Sequence, residues 1–223
     1  MKYIIFIFSL SLSYSQWSSF KLSDLDNANK ATKSLYRYAG FVSTNQPSTS
    51  INGLKRISLG LSLNKGFSNS GLIPVLSGQV KVSWNLALRV RMANYSTNAG
   101  TIQLYGWGMK FGPGNKNEPS QWKLLFDSGT FTSFRQFKSN TIQFLAMRSF
   151  AWNDLPFNIG LGANMINATQ NVLSEAQIPI KSKLQSNFIN IGTTINLFSF
   201  KIKPQVWLGM DYNLFSISFV ETF

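Results

Sequence analysis

The chain has 223 residues, with 21 Lys and Arg against 8 Asp and Glu, no His and no Cys. Without His it lacks the commonest general base and the commonest metal ligand, and without Cys it cannot be stapled by disulfides. The formal charge of +13 comes from basic residues spread along the chain, which points to anions or an anionic lipid surface rather than to nucleic acid, seldom met by an exported protein.

The amino terminus has the form of a secretory signal peptide. Lys2 supplies the positive start, Tyr3 to Leu12 an apolar stretch, and Ser13-Tyr14-Ser15 the small residues before a cut at Gln16. Residues 1–15 are therefore expected to be removed, leaving 223 − 15 = 208 residues, enough for one domain, with a formal charge of +12 once Lys2 is gone. Residues 16–34 read as a polar lead-in, a short helix or coil, with Leu22, Leu25 and Ala28 at helical spacing and Ser23 as a possible N-cap. Residues 35–223 read as a single β-domain.

From about residue 35 the apolar period becomes two. The longest regular run is Val80 to Met92, where Val80, Val82, Trp84, Leu86, Leu88, Val90 and Met92 share one face and Gln79, Lys81, Ser83, Asn85, Ala87, Arg89 and Arg91 the other. Alternate side chains on a strand point to opposite faces, so this pattern excludes a helix. Similar alternation occurs at 57–64, 105–112, 157–165, 189–197 and 201–210, and less regular strands are expected at 35–43, 121–131 and 140–151. With the last strand, 214–223, the total is about ten, within a range of 8–12. Many of these runs exceed the usual five or six residues of soluble strands and approach the roughly 9–11 of a tilted membrane strand. The turn chemistry between them includes Gln46-Pro47-Ser48, Ser68-Asn69-Ser70-Gly71, Gly112-Pro113-Gly114-Asn115 and Asn153-Asp154.

Three local features need an explanation. Pro204 falls on the apolar face of its run and calls for a bulge or an early strand end. The phase slips by one near Ile102 and Leu104, and again near Arg148, which bulges would explain. The segment 168–186 is the longest gap and, in an even-stranded barrel, belongs with the outer loops, whereas 67–74, 112–120, 153–156 and 198–200 belong with the inner turns.

Alternation alone does not say which face is wet. A membrane barrel turns its apolar face to lipid; a soluble sandwich turns it inward. Four features favour lipid: long strands, polar faces of Gly, Ser and Asn, no Cys in an exported chain, and a last strand ending in an aromatic residue. Trp122, Trp152, Tyr95 and Tyr212, all near strand ends, suit a headgroup belt, whereas Trp84 is expected deeper. Together, the export segment, the alternating strands and the terminal Phe223 resemble the small outer-membrane β-barrel proteins of Gram-negative bacteria. The resemblance implies a closed, antiparallel, all-β transmembrane barrel in the outer membrane. It also implies that the barrel-assembly machinery reads the last strand, here through Phe215, Ile217, Phe219 and Phe223. The alternative is a secreted soluble β-barrel or sandwich that binds small apolar ligands.

The chemical inventory is poor. The carboxylates Asp24, Asp26, Glu118, Asp127, Asp154, Glu175, Asp211 and Glu221 are scattered, and the serines have no obvious base. Gly106, Gly108, Gly112 and Gly114 lack the spacing of a nucleotide fingerprint and read as residues of a crowded inner face leading into a turn. Neither an enzyme activity, a metal nor a cofactor is expected. The one constellation is the charge on the polar face: Lys81, Arg89, Arg91, Lys110, Lys123, Lys201 and Lys203, with Asp127 and Asp211 beside them. In a barrel this set faces the lumen, and the expected role is structural or that of a narrow, anion-favouring pore. The expected partners are outer-membrane lipids, the assembly machinery and small anions, with oligomeric state left open.

Overall fold

The computed structural model describes residues 17–22, 28–47, 55–68, 71–97, 100–134, 136–153, 155–170, 181–198 and 200–223. The expected signal peptide at 1–15, the carboxylates Asp24, Asp26, Asp154 and Glu175, and residues 171–180 lie outside them. Among these residues one helix, α1 (Ala28–Thr44), precedes eleven strands: β1 (Ile57–Gly66), β2 (Ile73–Lys81), β3 (Leu86–Thr97), β4 (Gly100–Phe111), β5 (Trp122–Ser133), β6 (Phe137–Trp152), β7 (Leu155–Gln170), β8 (Lys181–Thr193), β9 (Ile195–Leu197), β10 (Phe200–Gly209) and β11 (Asn213–Thr222). Each strand pairs antiparallel with its neighbours, and β1 pairs with β11 to close the sheet. β8 and β9 meet β10 in one register, Ile202 opposite Ile195 and Gln205 opposite Gly192, so they form a single stave and the eleven strands make a ten-stave barrel.

Burial alternates along every long strand, and it identifies the faces. Leu59, Val90, Trp107, Phe144, Leu161 and Ile191 are exposed on the outside of the wall, whereas Ser62, Gln79, Arg91, Gln143, Asn164 and Asn190 are buried inside it. The outward apolar run on β6 extends from Ile142 to Trp152 with Arg148 as its interruption. Its 152 − 142 = 10 residue steps at ~3.3 Å make about 33 Å of strand, or about 25 Å of barrel height at a tilt near 40°, the height of a hydrocarbon band. Trp122, Phe150, Trp152, Phe198 and Phe223 are exposed around one edge of this band, here termed the near rim, where β1 begins and β11 ends. At the far rim the outward positions of β6 and β8 turn polar, with Lys138, Asn140, Lys181 and Lys183. No helix among the described residues is long and apolar enough to cross a membrane.

Two expected strands are replaced, and the count of ten survives because the changes cancel. The run Val80–Met92 is a hairpin: Val82 N–H and Ser83 N–H both donate to the Leu86 carbonyl, at 2.9 and 3.1 Å, and Lys81 faces Ala87. Alternation carries across this turn in phase because Val80 and Leu88 are register partners on the same outward face. Trp84 consequently sits in the turn at the near rim rather than deep in the band. The expected strand at 35–43 is part of α1. Tyr36 and Tyr38 imitate an alternating face there, yet Tyr36, Tyr38, Ala39, Phe41 and Val42 are all buried, as befits a helix enclosed on every side. The division expected between lead-in and barrel at residues 34 and 35 thus falls within α1, and the barrel wall begins at Ile57. With β1 first, the end of β1 and the start of β2 lie at the far rim, so the turn expected near 67–74 is not one of the inner turns.

The expected bulges are absent. β3 and β4 pair without interruption from Leu86 opposite Phe111 to Thr97 opposite Gly100. Ile102 and Leu104 point inward because the lumen itself is apolar at that level, and the buried side chains of Phe20, Tyr38 and Phe131 belong to the same core. Arg148 points outward in continuous register opposite Trp122 and donates to Gln121 Oε1 at 3.3 Å. At Pro204 the strand neither bulges nor ends. β10 stays paired to β11 throughout, and only the ladder on the β8–β9 side lapses, beside the missing N–H.

Candidate functional site: a helix threaded through the lumen

The segment before β1 runs through the barrel from the far rim to the near rim. At the far rim Ser18 N–H donates to the Leu72 carbonyl at 3.0 Å, and Leu22 N–H donates to Gln136 Oε1 at 3.1 Å. α1 then enters the lumen, with Arg37 paired to Asp211 at 3.2 Å in the β10–β11 connection. After Gln46 the chain reappears at the near rim, where Lys55 Nζ donates to the Thr222 carbonyl at 2.8 Å.

The lumen has three levels. In the far half, aromatic rings of the segment pack against rings of the wall: Phe20 against Phe131 at 4.3 Å, Tyr36 against Phe137 at 4.8 Å, Phe41 against Phe188 at 5.1 Å and Tyr38 against Tyr212 at 5.4 Å. Tyr95 also belongs here, its hydroxyl donating to the Ser18 carbonyl at 3.2 Å. Tyr95 and Tyr212 therefore face the lumen and are not part of the outer belt expected from their positions near strand ends; of that set, Trp122 and Trp152 are exposed outside.

At the middle level the carboxy-terminal end of α1 meets three buried charges. Arg89 Nη1 donates to Asp127 Oδ2 at 3.0 Å, and Arg91 Nη2 to Asp127 Oδ1 at 3.0 Å. Each arginine also reaches the threaded segment: Arg91 Nη1 donates to the Thr44 carbonyl and Arg89 Nη2 to the Gln46 carbonyl, both at 2.6 Å. The last carbonyls of a helix lack intrahelical donors and carry partial negative charge, so two guanidinium groups satisfy both hydrogen bonding and electrostatics. Thr44 Oγ1 donates to Gln143 Oε1 at 3.0 Å and Asn45 Nδ2 to Asn64 Oδ1 at 2.8 Å, completing a ring of wall contacts. The close fit accounts for Gly129: a Cβ there would lie 2.7 Å from the carbonyl carbon of Ser43. Gly106 and Gly108 face the same crowded level, beside Arg91 and Asp127.

Toward the near rim the lumen widens into a cavity of about 630 Å³ lined by Lys81, Lys110, Lys116 and Lys123 among others. Lys203 is buried in the wall, and Lys201 is half-buried on the same face of β10. Of the acidic pair, Asp127 lies in the middle level, whereas Asp211 is half-exposed at the far rim. Phe215, Ile217 and Phe219 face outward on β11, and Phe223 closes the seam: its N–H donates to the Ile57 carbonyl at 2.9 Å, and its carbonyl accepts from Arg56 N–H at 2.8 Å. No group of His, Cys, Asp and Glu among the described residues is arranged to hold a metal ion.

A closed antiparallel wall with an apolar outer band and a polar, charged interior decides the architecture. It is that of a small outer-membrane β-barrel. Among solved structures, the amino-terminal barrel domain of Pseudomonas aeruginosa OprF aligns over 77% of this chain and 100% of its own, at 12% identity and a TM-score of 0.41. Ail of Yersinia pestis aligns over 78% and 100%, at 11% identity and a TM-score of 0.26, and the β-domain of the Bordetella autotransporter BrkA over 76% and 99%, at 10% and 0.22. No protein-family model and no curated protein matches the sequence.

Lys81, Arg89, Arg91, Lys110, Lys123, Lys201 and Lys203 are buried or half-buried in their strands. Parity carries no sign that Arg89 and Arg91 hold the end of a helix, because α1 is distant in sequence and the pattern of its second half predicts a strand.

Proposed function

We propose that the chain is an exported barrel of the Gram-negative outer membrane whose lumen is closed, at rest, by its own amino-terminal segment. Its role in that state is structural rather than catalytic. The basic inner wall favours anions over cations whenever the path opens. The observation that carries this reading is α1 inside the barrel, with the Thr44 and Gln46 carbonyls held by Arg89 and Arg91. A soluble module that buries its apolar face is disfavoured by the exposure of Leu59, Val90, Trp107 and Leu161. In the same reading, outer-membrane lipids surround the apolar band, and Phe215, Ile217, Phe219 and Phe223 form the strand taken up by the assembly machinery.

Planar-bilayer recording tests the proposal. The full chain is expected to show no steady conductance. A variant lacking residues 17–47, shown to be folded by its heat-dependent migration on a denaturing gel, is expected to conduct with anion preference. Adding R89Q and R91Q to that variant should reduce the preference. Steady conductance by the intact chain, or cation preference in the shortened one, would sink the reading.

A further inference from the structure

We infer that the near-rim mouth of the lumen is a binding site for a multiply charged oxyanion of the phosphate class. The inference rests on the basic-lumen reading above but needs no open pore. Lys81 at the end of β2, Lys110 near the end of β4 and Lys123 at the start of β5 all point into the mouth, and Lys116 joins them from the β4–β5 connection. Lys81 and Lys110 are the register partners of Ala87 on either side of β3, so both line the same arc of the mouth. Like charges held together on a rigid wall repel, and a ligand with two or more negative charges relieves that repulsion better than a monovalent ion.

The remaining donors fit the same chemistry. Ser120 brings a hydroxyl, and Asn85 and Gln121 bring amide N–H groups, to a cavity lined among the described residues by no carboxylate, whereas the Ser83 and Ser149 hydroxyls already donate to Asn85 Oδ1 and Asn158 Oδ1 at 2.8 and 2.7 Å. Ammonium and hydroxyl donors together suit the several acceptor oxygens of a phosphate. The cavity, about 630 Å³, is larger than one phosphate group needs and lies in the range of small-molecule sites, roughly 300–1,000 Å³. A diphosphate or a phosphorylated small solute fits it, as does the phosphate of a lipid headgroup entering at the rim.

The test is isothermal titration of the detergent-purified full chain with inorganic pyrophosphate at low ionic strength. Saturable one-site binding is expected, weakened about tenfold or more by K110Q/K123Q through the loss of two charge-assisted contacts. K138Q/K183Q removes the same charge from the outer wall at the far rim and should leave binding unchanged. If K110Q/K123Q fails the heat-migration test for folding, K81Q/K116Q takes its place with the same expectation. Repeating the titration in nanodiscs separates the sources. Equal affinity in phosphatidylcholine and phosphatidylglycerol discs assigns a soluble phosphate, and competition by phosphatidylglycerol assigns a lipid headgroup. Absence of saturable binding, or equal loss in the near-rim and far-rim variants, overturns the site. Because the closed chain is titrated, the result does not depend on whether the barrel conducts.

Discussion

Asp127 is fully buried between Arg89 and Arg91, which are themselves almost completely enclosed. One carboxylate serves two guanidinium groups, which also donate to the Thr44, Gln46 and Trp107 carbonyls, while the Nε–H of each arginine is buried without a hydrogen-bond partner. Removing Asp127 leaves two enclosed cations close together. D127A is expected to cost on the order of 3–5 kcal/mol, and replacing all three groups together, as D127A/R89M/R91M, to cost less. Urea unfolding in lipid vesicles checks the order, and a triple variant less stable than D127A would contradict it. Glycines differ in the same way by what they face. Gly129 abuts the backbone of Ser43, whereas a Cβ on Gly78 would meet only the flexible Val90 and Leu59 side chains at 3.3 and 3.6 Å before any backbone atom. G129A should therefore destabilise by about 1–3 kcal/mol through overpacking, with G78A much milder by the same unfolding measurement.

Among the elements, α1 and the β8–β9 stave show how context overrides local preference. α1 carries two tyrosines, Phe41 and Val42, which suit a strand as well as a helix. What makes it helical is enclosure: inside a barrel there is no edge strand to pair with, so its backbone must satisfy itself. At Pro204 the opposite holds, and the wall keeps its register despite a missing donor because the pairing with β11 is unbroken and β8 and β9 meet β10 in one register on the other side. P204T is expected to restore one ladder bond between β10 and the β8–β9 stave. The gain should be roughly 0.5–1.5 kcal/mol, seen as slower amide exchange around Thr193 to Ile195. Unchanged exchange there would mean that the gap has another cause.

For the whole molecule, the decisive property is that the apolar surface is outside. Leu161 is 66% exposed near the middle of the β7 band. L161K is expected to cost about 2–4 kcal/mol for a charge at the bilayer midplane, read as lost folding into lipid vesicles. Full tolerance of the change would argue that water, not lipid, bathes this face. The same arrangement lets the inner face of the wall carry Arg89, Arg91, Asp127 and Lys203 among its buried side chains. The outer band supplies the hydrophobic driving force, leaving the interior to polar contacts and to the threaded segment.

Much of this was legible in the residue pattern. Period-two alternation predicts the strand faces of β1, β4, β7, β8 and β10, with Ser, Asn and Lys on the polar side, because pleat geometry is local. Strand limits were less legible: a hairpin whose partners share a face, such as Val80 and Leu88, looks the same as one long strand. Ile102 and Leu104 read as a phase slip because an inward apolar residue makes sense only when something apolar fills the lumen. Local pattern suffices for a sheet with one greasy and one polar face. Closure of that sheet, the passage of α1 through it and the grip of Arg89, Arg91 and Asp127 on the end of that helix rest on contacts between residues far apart in the chain, which no local pattern carries.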